Sequence, residues 1–202
     1  MKLEIAKKEY YRKLSKREGF RSRAAYKLIQ IQLKHKIMKK GDKIVDLGCS
    51  PGGWVQVALK EVGGKGKVIG VDIKTLNLEN LEGNFIFLKK NVYDKDLEEE
   101  ILKNLQEKAD VILSDLSPNI SGVWELDYQK QTDMVLRVME LLPKLLRKGG
   151  RLVLKSFQGE ELKNIERDLK GKFEKVFIEK PPASRKESSE VYFVCINYIG
   201  PT

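Results

Sequence analysis

The chain has 202 residues and a mass of 23.2 kDa, enough for one domain to enclose a full core without disulfides or a structural metal. No run of about 18 apolar residues is available to span a bilayer, and the charged opening "MKLEIAKKEYYRKLSKREGF" lacks the apolar centre of a secretion signal, so a cytoplasmic protein with no membrane association is expected. The formal charge is +10, yet residues 1–43 hold 15 Lys/Arg against 4 Asp/Glu, which leaves the remainder close to neutral.

Residues 1–21 therefore read as a basic arm, an electrostatic footprint for phosphates, in which Tyr10, Tyr11, Phe20 and, just beyond it, Tyr26 are placed to stack on bases. The plainer alternatives are a solvated arm or one that touches acidic lipid. Ser22 can cap a helix from Arg23 to about Lys36, within an amino-terminal segment 22–40 that carries Lys27. The sole histidine, His35, falls on this helix and reads as a surface residue.

From Lys43 to about residue 199, apolar runs alternate with longer amphipathic segments, the pattern of a parallel sheet flanked by helices. Strands are expected at "KIVDLG", "KVIGVDI", "FIFLK", "ADVILSD" and "RLVLKSF", and helices at 54–62, 94–108, 127–146 and 160–170. At the end "FEKVFIEK" and "VYFVCINYI" follow one another with no helix between, and so should pair as an antiparallel hairpin. Cys49 and Cys195 lie far apart in apolar or Gly-rich surroundings and suggest core thiols rather than a metal or disulfide site.

The turn "VDLGCSPGGW" leaves the first strand with Gly48, Gly52 and Gly53 and enters the first helix of the alternating series. Such a turn brings a ligand close to the main chain, although Ser50 stands where a dinucleotide fingerprint expects glycine. Asp46, Asp72 and Asp115 fall at or near the carboxyl ends of three strands, the edge where open α/β sheets bind ligands. Asp72 is placed to accept hydrogen bonds from a ribose diol. So many carboxylates would repel a pyrophosphate and welcome a sulfonium and an ammonium, which favours S-adenosylmethionine over NAD as cofactor.

In order along the chain, "SRAAYKL", "DLGCSPGGW", "LSDLSPNISG", "LVLKSFQG" and "SSEVYFV" resemble the FtsJ-like family of ribosomal RNA 2′-O-ribose methyltransferases, from about Ser22 to about Val194. The resemblance implies one Rossmann-like class I methyltransferase domain with a seven-stranded, mostly parallel sheet ending in the antiparallel hairpin. It implies a catalytic tetrad of Lys27, Asp115, Lys155 and Glu190, with cofactor contacts at Gly48, Gly52, Gly53, Trp54, Asp72, Asn91 and Asp115 and no metal. Asn91 stands where the bacterial members usually have Asp, which changes the hydrogen bonds it can offer an adenine. The activity implied is methylation of a ribose 2′-hydroxyl, of a uridine in large-subunit ribosomal RNA, by a monomer that meets its RNA within a ribosomal particle. Transfer RNA, a messenger cap, a non-catalytic assembly role and a dinucleotide oxidoreductase are the competing readings.

Chemistry agrees with the assignment of Lys155 as base. A ribose hydroxyl must lose its proton as it attacks, and desolvation, a second ammonium at Lys27 and a cationic cofactor would each help a lysine take it, while Asp115 and Glu190 would oppose release yet orient the amine. Singly, the four residues have plainer readings: Lys155 as a strand lysine reaching for water, Lys27 as a charge on a helix face, Asp115 as a turn cap with Ser117, and Glu190 as a gatekeeper charge.

Overall fold

The computed structural model describes residues 2–200 except 78, 80 and 82. Two helices come first, α1 (Lys2–Arg17) and α2 (Ala24–His35). Then β1 (Lys43–Leu47), α3 (Gly53–Val62), β2 (Lys67–Asp72), β3 (Phe85–Lys89), α4 (Leu97–Leu105), β4 (Ala109–Ser114), α5 (Trp124–Leu145), β5 (Leu146–Phe157) and α6 (Leu162–Lys170) alternate, and β6 (Phe173–Glu179) and β7 (Glu190–Tyr198) close the chain. The strands form one seven-stranded sheet in the order β3-β2-β1-β4-β5-β7-β6. β1 to β5 run parallel, whereas β7 is antiparallel to β5 on one side and to β6 on the other.

Helices on both faces explain why β1 and β4 are nearly continuous apolar runs rather than alternating ones. On one face α4, α5 and α6 bury Ile101, Val135, Leu142 and Leu169 against the sheet. On the other, α2 and α3 bury Leu28, Ile31, Val55 and Ala58. The order reverses beside β1, whose neighbours β2 and β4 lead off in opposite directions, and that is where a crevice opens at the carboxyl edge.

The amino-terminal segment differs from its sequence reading in four ways. The basic arm is helical, as α1. Its aromatic residues serve mainly to dock that helix: Tyr11 and Phe20 pack on Tyr26, the Tyr26 hydroxyl donates to Glu18, and Gln30 donates to the Tyr11 hydroxyl, so only Tyr10, 59% exposed, remains open to a base. Ser22 does not cap α2; its hydroxyl is buried without a partner, and Arg23 already has helical backbone angles. His35 is not on the surface. Its side chain is largely covered, bonded to Glu179 at 2.8 Å and packed on Phe177 beside β6, the edge strand of the sheet. Among the described residues no helix is long and apolar enough to cross a membrane.

Candidate active site

At the carboxyl edge, β1, β2, β3 and β4 surround a cavity of about 230 Å³ lined by Gly48, Asp72, Asn91 and Asp115, with Ile73, Val92 and Met134 supplying apolar wall. Asp72, at the end of β2, is fixed by two backbone donors: Ser50 N–H to Oδ2 at 2.9 Å and Lys74 N–H to Oδ1 at 2.8 Å. A carboxylate has about four acceptor positions, so capacity remains for a diol. The Asn91 side-chain oxygen accepts from Tyr93 N–H at 3.2 Å, which leaves its amide group as the donor available to the cavity.

The simple charge argument for the cofactor does not hold here. Lys74 and Lys90 line the same cavity, although the Lys90 ammonium is tied to Asp96 and Glu100. Asp46 is fully buried beneath the cavity instead of lining it, with neither carboxylate oxygen hydrogen-bonded; burial, with Asp115 and Asp72 nearby, pushes its carboxyl well above the usual range.

Nor do Gly52, Gly53 and the Trp54 side chain line the cavity. Trp54 is buried, donating from Nε1 to the Ala24 carbonyl at 2.9 Å and packing on Tyr192. A Cβ on Gly53 would lie 2.4 Å from the Ser22 hydroxyl, and one on Gly52 would lie 2.9 Å from Arg21 Cδ. These glycines are needed because residues 21–25 press against the turn. Arg21 extends this contact by donating to the carbonyls of Asn77 and Glu79 in the loop after β2.

The tetrad residues, by contrast, are brought together. Lys155 Nζ lies 2.8 Å from the Asp115 carbonyl oxygen and 3.3 Å from its carboxylate. Lys27, from α2, pairs with Glu190 at 2.6 and 2.7 Å although 163 residues separate them. The bridge between the two pairs is Tyr192, which the sequence reading missed: its hydroxyl donates to Asp115 Oδ1 at 2.9 Å and accepts from Lys27 at 3.3 Å. Burial and the carboxylates of Asp115 and Glu190 push this phenol well above its ordinary range, so it remains a donor at neutral pH. Two further side chains steady the frame, Ser184 donating to Glu190 at 2.8 Å and Gln131 to the Lys155 carbonyl at 3.1 Å. The signal for Tyr192 was present: it sits two residues from Glu190, hence on the same face of β7, and opposite Lys155 in the β5–β7 register.

A model of the FtsJ-like methyltransferase family matches residues 20–198. The chain belongs to the FtsJ-like methyltransferases. Among relatives of this family, the ribosomal RNA large subunit methyltransferase E of Nitrosopumilus maritimus is 40% identical over 200 residues, covering 99% of this chain and 100% of the relative. The protein of the same name from Methanocaldococcus jannaschii is also 40% identical, covering 96% of this chain and 80% of its own length. Among solved structures, a Plasmodium falciparum protein described as a ribosomal RNA methyltransferase superposes with a TM-score of 0.80 at 31% identity, covering 90% of this chain and all of that one. Fibrillarin of Aeropyrum pernix, solved with S-adenosyl-L-methionine, has a TM-score of 0.59 at 18% identity over 87% of this chain and 75% of its own; at that identity the likeness concerns the fold alone. FtsJ-like membership accounts for the seven-stranded sheet with its antiparallel β7.

Proposed function

We propose that this FtsJ-like methyltransferase transfers the methyl group of S-adenosylmethionine to a ribose 2′-hydroxyl of large-subunit ribosomal RNA, a uridine by the family resemblance. The observation that carries the reading is the unbroken chain Lys155–Asp115–Tyr192–Lys27–Glu190, which meets the cavity at Asp115, a residue shared by both.

The residues present fit the cofactor. Asp72 would take the ribose diol, Asn91 and the apolar wall the adenine, and Asp115 the cationic end. S-adenosylmethionine would supply an electrophilic methyl group with a neutral thioether as leaving group. Lys155 would accept the 2′-hydroxyl proton as the oxygen bonds to the methyl carbon that S-adenosylmethionine would supply, the sulfur leaving with the bonding pair as a neutral thioether; the products would be the 2′-O-methyl ribose, S-adenosylhomocysteine and protonated Lys155. Lys27, neutralised by Glu190, positions the hydroxyl or its neighbouring phosphate, and Tyr192 holds Asp115 in line. The basic helix α1 supplies sequence-independent attraction for RNA.

The test is transfer of labelled methyl from S-adenosylmethionine to ribosomal particles, with mass mapping of 2′-O-methyl sites. Label at a ribose of large-subunit RNA is expected. Label confined to transfer RNA would move the substrate, and binding without transfer would make the protein an assembly factor.

A further inference from the structure

Beside the tetrad lies a group of aromatic side chains to which the chemistry above gives no role. The loop after β4 is pinned by Asp127, a buried carboxylate that accepts from Ser121 N–H and Oγ at 2.8 Å each and from Gly122 N–H at 3.1 Å; the Ser121 bond in particular holds it below the usual carboxylate range. This loop delivers Trp124 as the first residue of α5. The indole lies nearly parallel to Tyr128, one helical turn on, at 5.6 Å and 26° between planes, and to Phe157 at 6.1 Å and 22°.

The two supporting rings have little freedom. Phe157 is buried at the end of β5. The Tyr128 hydroxyl accepts from Glu161 N–H at 2.7 Å, and its ring fills the space above Gly159, where a Cβ would lie 2.3 Å away. That contact accounts for the glycine in "LVLKSFQG". Trp124 itself is held by this support yet remains 47% exposed, and Ile120, Val123 and Leu126 around it are exposed as well. The location is specific: Phe157 lies two residues beyond Lys155 on the same face of β5 and directly opposite Glu190 on β7.

We propose that Trp124, supported by Tyr128 and Phe157, is the seat on which an unpaired base of the RNA strand stacks when its ribose is presented to Lys155. The inference deepens the functional reading above and rests on it. A rigid, half-exposed indole continuous with a nucleotide-modifying centre suits single-stranded RNA, because every base has a flat face and proteins recognise unstacked bases by aromatic stacking. A paired base, already stacked in its duplex, would gain nothing from the indole. The target nucleotide or its immediate neighbour is therefore engaged unpaired.

The test uses the full chain with a short unstructured RNA, read by polarisation of labelled RNA, by indole fluorescence, and by single-turnover methyl transfer to ribosomal particles. Trp124→Ala should weaken RNA binding about ten- to a hundred-fold and leave S-adenosylmethionine affinity unchanged. Trp124→Phe should restore most of the binding, whereas Trp124→Leu, apolar but not flat, should not. Single-stranded RNA should quench wild-type emission more than that of Trp124→Phe, and a duplex should not. A Leu variant that binds RNA like wild type, or no quenching difference, overturns the seat and assigns the patch to a protein partner. Methyl transfer by Trp124→Ala at the wild-type rate and RNA affinity overturns the seat alone. Quenching of a wild-type protein that transfers no methyl supports the seat and sinks the enzymatic reading instead.

Discussion

The two halves of the site are built in different ways. The cofactor half is local: Gly48, Ser50, Asp72 and Asn91 lie on consecutive strand ends, and its key carboxylate is oriented by backbone N–H groups from Ser50 and Lys74. The transfer half is assembled from side chains far apart in sequence, Lys27 to Glu190 across 163 residues and Tyr192 to Asp115 across 77. A half made of backbone tolerates side-chain substitution with graded loss of affinity. A half made of interlocking side chains should lose rate abruptly, because each group's position depends on the next.

The largest effect expected is at Lys155. Lys155→Ala should lower single-turnover methyl transfer by at least about 10²–10⁴-fold, the usual worth of a positioned acid or base, with S-adenosylmethionine binding nearly intact by calorimetry. Lys155→Arg should not recover it, since arginine keeps its proton. A near-wild-type rate for the arginine variant would make Lys155 a positioning residue and place the difference between the halves elsewhere.

On the cofactor side, Asp72→Ala should weaken S-adenosylmethionine by about 1.5–3 kcal/mol, the loss of charge-assisted hydrogen bonds. Unchanged affinity would remove Asp72 from the binding site. Tyr192→Phe sharpens the contrast: about tenfold loss in kcat is expected, with the cofactor KM unchanged, because the hydroxyl reaches the cavity only through Asp115, which Lys155 still holds. If KM for the cofactor rises in step, the two halves are coupled through Asp115.

Neutralising the exposed Lys13, Lys16 and Arg17 of α1 to Gln should flatten the salt dependence of RNA binding by about 2 in slope, at about 0.7 per single-strand phosphate, without changing cofactor affinity. The smallest effect is thermal. Asp46 has a raised carboxyl in the folded chain, so the native state binds the extra proton and stability falls as pH rises from the unfolded value of about 4 through the folded one. Asp46→Asn should raise Tm by a few degrees at pH 8 and hardly at all at pH 3.5. An equal gain at both would show that the Asp46 carboxyl titrates alike in the folded and unfolded chain.

These differences also explain what the sequence disclosed. The inner strands β1, β2 and β4 were readable because helices cover both faces and leave β-branched runs intact, and "DLGCSPGGW" was readable because a turn is contiguous. Side-chain direction was not. Trp54 and Gly53 lie in the right motif, but the indole and the glycine face residues 22–25, a packing decided by a segment 30 residues earlier. The tyrosines in and beside the basic arm misled for the same reason, since Tyr11 and Tyr26 have each other as partners before any base arrives. Asp46 looked like its neighbours Asp72 and Asp115 until burial separated it from them.

The placement of β7 between β5 and β6 bears on the order in which the molecule can be completed. β6 is made first but has no partner in the sheet until β7 has been made and slotted in, and until then β5 presents an open edge. The strand that fills this gap carries Glu190 and Tyr192. A chain interrupted before that insertion would keep the cofactor cavity's own strands and turns while lacking two of the five linked side chains of the transfer half. Sheet closure and catalytic competence thus arrive in one event, late and long-range, the kind of contact that is slowest to form because distant segments must first be brought together.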